Sequence, residues 1–428
     1  MFKIFMNQMS ENNYNHLFRI KKSSVFLFAL FIYQYAILSA VFYNLRLGPA
    51  NLQITSITLL FIFCALLQWK KIIESFNWKI IVVLSLGLMF MPLKILVGKL
   101  DISGLQGMRL FYILPLFWLL YRVYAKTEDM KKKVINIIIW NCLFIAIFGI
   151  IHFFFFPKVF LSTTLTEEYK AGNIALILGH SQEAAFFGNP SAYGCILLTG
   201  LLGIYLTKKK SLLYSIIFVI ILLGVFLSVS RWATLFSVII LIMFLKDKFK
   251  LRMRSLLQLF FILTLTIFIL SKLPFFSLTL RYAFEKWSFS AILSGESIKA
   301  QRIYAGRFPG YGVALQILFS DLSHFLFGGA QMEDFIIGNI KFSDNSFIFL
   351  AIGYGVTLAI LWILIVLFKM IPLRLKGKAQ VLIFVFFYGT IFSTPALFWD
   401  IWLLYILGIM NVASSKVEGK KECQNELE

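Results

Sequence analysis

Apolar segments of about 20 residues recur along this chain, separated by short polar clusters. An α-helix of that length crosses the roughly 30 Å hydrocarbon core of a bilayer. The chain is 60% hydrophobic and only 14% charged, so a soluble core built from its 428 residues could not hide the apolar surface. No segment of the sequence shows the two-residue alternation of a lipid-facing barrel strand. These features predict an all-α polytopic membrane protein.

The spacing of the apolar segments predicts about twelve transmembrane helices and a large extracytoplasmic loop. The predicted spans are 23–44, 50–69, 78–97, 110–125, 134–156, 184–206, 211–229, 232–245, 256–273, 346–368, 379–394 and 397–410. Spans one to nine therefore fall within 23–273, and spans ten to twelve within 346–410. Residues 1–22 and 411–428 form cytoplasmic tails, and residues 274–345 form the large loop.

The positive charges give the orientation, because lysine and arginine in short loops stay in the cytoplasm. With a cytoplasmic N-terminus, every inner loop is basic and most of the 41 lysine and arginine residues lie inside. Both termini are therefore expected in the cytoplasm. The net charge of +21 is spread over these short loops, whereas a nucleic-acid-binding protein gathers its charge on one surface. Nucleic acid is therefore not an expected partner.

Metal and disulfide patterns are missing from the sequence. Cys64, Cys142 and Cys195 fall inside predicted spans and Cys423 falls in the tail, which gives no disulfide or ligand spacing. There is no aspartate-x-aspartate and no grouping of histidines. The cysteines are interpreted as small packing residues, and neither a metal nor a cofactor is expected.

Two extracytoplasmic segments, 157–183 and 274–345, are too long to be simple turns. The second carries many aromatic residues and an apolar stripe at helical spacing around Leu315, Leu318 and Phe319. The stripe predicts a lid of short amphipathic helices lying against the outer membrane surface. This loop also gathers the outer positive charges, among them Arg281, Arg302 and Arg307.

Arg231 lies in a tight turn, since Ser228 to Trp232 join two apolar segments without a polar loop. A cation costs about 2.5–3.5 kcal/mol at the centre of a span and less near the interface. One interpretation is an arginine that extends to the headgroups and anchors the hairpin. The other is a phosphate-binding arginine, because a guanidinium offers paired hydrogen bonds that lysine cannot match.

Four motifs in chain order resemble those of the O-antigen polymerase and ligase superfamily, over roughly residues 180–370. These enzymes are membrane glycosyltransferases that use polyprenyl-diphosphate-linked glycans. The motifs are 187–194 (FGNPSAYG), 227–233 (LSVSRWA), Arg307 with the stripe 311–318 and 327–329 (FGG), and 344–347 (DNSF) with 353–356 (GYGV). One departure is His180 to Glu183, where many members have an arginine.

The resemblance implies a polysaccharide polymerase in the bacterial inner membrane. It would join polyprenyl-diphosphate-linked repeat units into O-antigen, capsule or exopolysaccharide on the extracytoplasmic face. Membrane lipids, a chain-length regulator and a flippase are further implied partners. Arg231 and Arg307 would stabilise the leaving diphosphate, with Arg302 and Arg281 in support. Asp344 or Glu183 would act as the base.

Further binding residues are less specific. Asn345 and Asn189 belong to the resembling motifs and would contact the substrate. Lys94 and Arg109 lie near the outer ends of the third and fourth predicted spans. They are interpreted either as headgroup anchors or as contributors to the diphosphate site.

Other functions stay open. Ligases of the superfamily typically have a histidine beside the asparagine that ends the large loop, whereas this chain has Asp344 before Asn345, which favours polymerase. A flippase would show internal repeats and ionisable residues near the bilayer midplane, and neither is evident in the sequence. A sensor or scaffold would not require an arginine in a helical hairpin.

Overall fold

The structure is a computed structural model. It describes residues 22–42, 46–47, 50–75, 85, 110–155, 190–207, 211–228, 230–249, 315–316, 318–320, 322–328, 336–337, 340–341, 350–352, 354–362, 378–393 and 402–413. Almost all of these residues are helical, which confirms the all-α class.

The described helices range in length from 6 to 28 residues. They are α1 (Lys22–Phe42), α2 (Leu52–Leu67), α3 (Trp69–Ser75), α4 (Leu110–Tyr124), α5 (Glu128–Phe155), α6 (Pro190–Thr207), α7 (Leu212–Leu227), α8 (Arg231–Phe249), α9 (Leu322–Phe327), α10 (Val356–Trp362), α11 (Lys378–Ser393) and α12 (Trp402–Ala413). Two antiparallel ladders accompany them, β1 (Arg46–Leu47) with β2 (Ala50–Asn51) and β3 (Ile336–Ile337) with β4 (Ile340–Lys341).

Helices occupy most of the described part of each predicted span, although Ala50–Asn51 at the start of the second span form the strand β2. Spans 78–97 and 256–273 lie outside the described residues, apart from the helical Ser85. Among the described helices, Glu128–Ile151 alone is long and apolar enough to cross a membrane by itself. Shorter apolar helices include Ser191–Thr207, Leu212–Leu227 and Trp402–Ala413. The number of spans and their orientation therefore stay predictions.

Helix α5 begins at Glu128 instead of at residue 134, where the predicted span starts. The Oγ1 of Thr127 accepts a hydrogen bond from the backbone N–H of Met130 at 3.3 Å, which caps the helix. Lys131 pairs with Glu128 at 2.9 Å, and Lys133 pairs with Asp129 at 2.7 Å. Capping and these ion pairs extend the helix through a polar segment that hydrophobicity alone would exclude.

The centre of the fold is formed by α5, α6 and α7, which pack against one another. Helices α1 and α2 pack together, and α1 also contacts α5. Helices α8 and α11 contact α6 and each other. The helix α6 is therefore buried among four neighbours, and its residues from Ala192 to Ile204 are buried without interruption.

Glycines allow the three central helices to approach closely. The hydroxyl end of Tyr193, on α6, lies against Gly149 of α5 and Gly224 of α7. A Cβ added at Gly224 would lie 2.9 Å from Tyr193 Oη, and one added at Gly149 would overlap it. On the same helix, a Cβ at Gly200 would lie 2.5 Å from the Cβ of Cys142. Small residues at helix contacts of this kind bring backbones together, as in helix pairs within bilayers.

Polar side chains connect the bundle to its last helix. Asn141 of α5 donates to Tyr405 Oη at 2.8 Å and to the carbonyl of Leu30 at 3.2 Å. Tyr121 donates to the carbonyl of Leu404 at 2.8 Å. These bonds tie α1, α4 and α5 to α12, and the bonded side chains of Asn141, Tyr121 and Tyr405 are buried.

The outer faces of several helices are apolar and exposed. Helix α7 buries Ile217, Phe218, Ile221 and Val225 on one side. Its other side exposes large apolar side chains, namely Leu212, Leu213, Ile216, Val219, Leu223 and Phe226. Val219 in the middle of the helix is 62% exposed. A helix that is apolar on every side is typical of a membrane environment or a larger core, and not of a protein surface in water.

The first prediction concerns the Tyr193 contact. Replacing Gly149→Ala should lower the midpoint of thermal unfolding in detergent, because the added methyl group overlaps a fully buried ring, at a cost of about 1–3 kcal/mol. Adding Tyr193→Phe removes the overlapping oxygen and should recover part of the loss. The exposed change Val219→Leu adds one carbon without a clash and serves as the control. Equal unfolding midpoints for Gly149→Ala and the wild type would contradict the packing.

Candidate functional site

The turn between α7 and α8 is held by two serines. Ser228 closes α7, and its backbone N–H donates to the carbonyls of Gly224 and Val225. Its Oγ donates to the carbonyl of Val225 at 2.6 Å and accepts the N–H of Ser230 at 3.2 Å. The carbonyl of Ser230 accepts the N–H of Thr234 at 2.8 Å, which makes Ser230 the N-terminal cap of α8. Arg231 is therefore the first residue of that helix.

Helix α6 presses directly against this turn at Gly194. A Cβ added at Gly194 would lie 2.7 Å from Ser228 Oγ and 2.8 Å from the Cβ of Ala233. Only glycine fits this contact without moving the turn. Gly194 is the last residue of the motif 187–194, and Ser228 and Ala233 belong to the motif 227–233. The fold thus brings two of the predicted site motifs into contact.

Trp232 fixes the other side of the turn to α11. Its indole Nε1 donates to Thr390 Oγ1 at 2.9 Å, and Thr390 Oγ1 donates to the carbonyl of Phe386 at 2.6 Å. The six-membered ring lies on Gly389, where any side chain would overlap it. The side chain of Cys195, on α6, also hydrogen-bonds to Thr390. Helices α6, α8 and α11 therefore meet around this threonine.

The N-terminal end of α8 has a positive electrostatic potential. Backbone N–H groups in the first turn of a helix have no intrahelical acceptor, and the aligned peptide dipoles make that end positive. The first turn of α8 contains no acidic residue to balance it. A basic residue such as Arg231 at this position costs about 0.3–1 kcal/mol of helix stability, so stability does not explain its presence. The arrangement is suited to an anion such as a phosphate.

A second contact joins part of the large loop to the tenth predicted span. Gly355 has φ +87° and lies directly against the backbone of Leu326 and Phe327 at the end of α9. Gly328, with φ +70°, ends α9, and its N–H donates to the carbonyl of His324 at 2.9 Å. The motif containing residues 327–329 therefore meets the motif 353–356 in the fold.

Gly355 interrupts the predicted span 346–368, so the prediction of one continuous helix there is wrong. The helical residues before it end where the N–H of Gly355 bonds to the carbonyl of Ala351 at 2.8 Å. Helix α10 begins where the carbonyl of Gly355 accepts the N–H of Ala359 at 3.1 Å. The left-handed conformation of this glycine breaks the helix, and apolar residues on both sides concealed the break in the sequence.

The described part of the loop that was predicted to form a lid of short helices contains both helix and strand. Residues 315–316 and 318 and helix α9 are helical, with Leu318 buried and Leu315, Phe319 and Leu322 exposed. Ile336–Ile337 and Ile340–Lys341, however, form a β ladder within the same loop. Two short segments rich in isoleucine, separated by Gly338 and Asn339, are a hairpin pattern that the prediction of helices overlooked.

Most predicted site residues lie outside the described residues. They are Arg307, Asp344, Glu183, Arg302, Arg281, Asn345, Asn189, Lys94 and Arg109. Arg231 is described by its backbone, at the start of α8. Within the described part of the chain, no three histidine, cysteine or acidic side chains group together as metal ligands. Metal-independent chemistry stays a prediction.

Sequence reasoning missed Thr390 and Gly389, which hold Trp232. They lie in an apolar segment whose pattern is that of any buried helix, and no spacing connects them with Arg231. The same reasoning gave Trp232 no role beyond membership of the motif 227–233. Helices that meet through residues far apart in the chain leave no local pattern in the sequence.

The second prediction concerns the break at Gly355. Replacing Gly355→Ala should separate α9 from α10, because the methyl group meets the backbone of Leu326 and the left-handed conformation alone costs about 1–2 kcal/mol. Limited proteolysis should cleave residues 322–328 faster than in the wild type. The change Thr357→Ala, at an exposed position on the same helix, should leave cleavage unchanged. An unchanged cleavage rate in Gly355→Ala would rule out the contact.

Comparison with known protein families, with curated proteins and with solved structures finds no match to this chain.

Proposed function

We propose that the protein is a polysaccharide polymerase that joins polyprenyl-diphosphate-linked repeat units on the extracytoplasmic face of a bacterial inner membrane. The observation that carries the proposal is the position of Arg231 as the first residue of α8. An arginine at a helix N-terminus provides two sources of positive potential for one anionic group. A lipid diphosphate is such a group, and its leaving oxygen gains charge during transfer.

A multi-pass arrangement with about twelve spans is part of the proposal. Exposed apolar stripes support it, because α7 and α8 present large aliphatic side chains on their exposed faces. On α8 these are Leu235, Ile239 and Ile242. Burying such faces in lipid removes the cost of exposing them to water, about 25 cal/mol for each Å². The basic clusters then lie in the cytoplasm, and the hairpin at Arg231 lies outside.

The proposed reaction transfers a growing glycan between two carriers. A hydroxyl of the incoming unit attacks the anomeric carbon of the growing chain, a new C–O bond forms, and the bond to the diphosphate breaks. The diphosphate leaves with the bonding electron pair, and a carboxylate accepts the hydroxyl proton. Arg231 and Arg307 would stabilise the departing charge, with Arg302 and Arg281 in support. Asp344 or Glu183 would be the base, and Asn345 and Asn189 would orient the sugars.

A lipid-linked oligosaccharide flippase is the second candidate, and the helix break at Gly355 favours it. Transporters use interrupted helices at their binding sites, typically at corresponding positions in two related halves. In the order of the predicted spans, the corresponding helix of the first half is α4, which contains Pro115 but continues from Leu110 to Tyr124. An O-antigen ligase would share the arginine chemistry and differ in its acceptor. These alternatives predict different products from the same substrates.

The third prediction tests the orientation. A reporter fused after Ser230 should be active only in its extracytoplasmic form, and one fused after residue 210 only in its cytoplasmic form, because the positive residues 208–210 stay inside. A cytoplasmic location for Ser230 would remove the proposed function, since Arg231 could not meet a substrate on the outer leaflet.

The fourth prediction tests the chemistry. Purified wild-type protein given lipid-linked repeat units should lengthen the glycan, as seen by gel electrophoresis. Arg231→Ala should lower the rate roughly 100-fold or more, because a preorganised charge at the leaving group is lost. Arg231→Lys should lose less, since it keeps the charge but not the paired hydrogen bonds. Lys246→Ala, at the opposite end of the same helix, should retain the wild-type rate.

The products separate the alternatives. Glycan attached to lipid A core would identify a ligase, and relocation of unchanged lipid-linked units across vesicles would identify a flippase. A wild-type rate of polymerisation in the Arg231→Ala variant would show that this arginine has no part in the mechanism.

A further inference from the structure

Trp232 follows Arg231 in the chain, and its side chain has a directional partner. The indole N–H donates to Thr390 Oγ1 at 2.9 Å, and the same hydroxyl donates its own proton to the carbonyl of Phe386 at 2.6 Å. Thr390 is completely buried. Because its proton is used within α11, the oxygen is left as an acceptor aimed at the indole. This hydrogen bond therefore constrains the orientation of the indole, which apolar packing alone would not do.

The indole ring of Trp232 also packs directly against α11. It lies so close to Gly389 that no side chain could replace the hydrogen there. The ring centroid also lies 5.6 Å from that of Phe236, and the ring of Phe236 lies 5.1 Å from that of Phe386 of α11. One turn of α8 is thus aligned with one turn of α11 by a hydrogen bond, a glycine contact and a row of rings.

Arg231 lies between two fixed points. On its N-terminal side, Ser228 and Ser230 are bonded to each other, and Ser228 is pressed against Gly194 of α6. On its C-terminal side, Trp232 is bonded to α11. Since successive residues of a helix are turned by about 100°, fixing Trp232 sets the direction in which the Cα–Cβ bond of Arg231 leaves the helix.

We propose that Trp232 and Thr390 are positioning residues for Arg231, and that their hydrogen bond sets the rotation of the first turn of α8 at which the arginine meets a lipid diphosphate. The inference rests on the proposed function and assigns a role to two residues of the same site. The buried Thr199 has no such role in this proposal, because it bonds within its own helix and to the neighbouring Cys142.

The test compares single and double variants of the full-length protein. Trp232→Phe and Thr390→Val each remove the hydrogen bond and keep most of the volume. Each should lower the kcat of polymerisation roughly tenfold, with a smaller change in KM, because a displaced charge stabilises the transition state poorly. The double variant should be no slower than either single variant, since both remove the same bond. Thr390→Ser keeps the hydroxyl and should restore most of the rate.

Coupling to Arg231 distinguishes positioning from general stability. In an Arg231→Lys background, Thr390→Val should have little further effect on kcat, because the group that it positions is already altered. Thr199→Val is the matched control. Thr199 is also fully buried and donates to a carbonyl of its own helix, that of Ile196, at 2.6 Å, but it lies on α6 and bonds to no described residue of α8. That variant should keep the wild-type kcat.

The outcomes are separable. Wild-type protein that neither lengthens glycan nor binds polyprenyl diphosphate in micelles would overturn the proposed function and this inference with it. An active wild type with unchanged kcat in Trp232→Phe and Thr390→Val would overturn the positioning role alone. The same loss of kcat in the presence and absence of Arg231→Lys would also overturn it. If Thr390→Val fails to fold, Trp232→Phe removes the same bond from the other side and decides the question.

Discussion

The close approach of helix backbones at glycines is the constraint on which the remaining structure depends. Gly149 and Gly224 make room for Tyr193, and Gly194 makes room for the serine turn. In the bilayer proposed for this protein, the hydrophobic effect would not drive helices together, so close contact and interhelical hydrogen bonds would hold the bundle. Large side chains at these glycines would move α6 away from its neighbours. The turn before Arg231 would move with it.

Polar groups inside this bundle serve a local purpose at each place. Asn141 joins α1, α5 and α12, whereas Thr390 joins the indole of Trp232 and the side chain of Cys195 to α11. Their value lies in direction, because a hydrogen bond in an apolar interior tolerates little misalignment. Apolar contacts between the same helices would allow them to slide or rotate. The arrangement combines glycine contacts that set distance with hydrogen bonds that set rotation.

The sequence predicts the helical class and the approximate helix positions because the length and spacing of apolar segments carry that information. It also predicts the tight turn before α8, since serines without a polar loop leave little alternative. It does not predict the break at Gly355, which depends on the backbone of Leu326 in a distant segment. Nor does it predict the pairing of Trp232 with Thr390, because an apolar helix pattern does not identify contact partners. The isoleucine segments on either side of Gly338 and Asn339 fit a hairpin pattern, whereas the prediction of helices rests on the apolar stripe upstream of them.

The two anchors around Arg231 constrain the length of the α7–α8 connection. Ser228 is held by α6 and Trp232 by α11, so the few residues between them have no freedom to absorb an insertion or deletion. One extra residue would turn every later side chain of α8 by about 100° relative to the bundle and shift it by about 1.5 Å along the axis. At this turn, the number of residues matters as much as their identity.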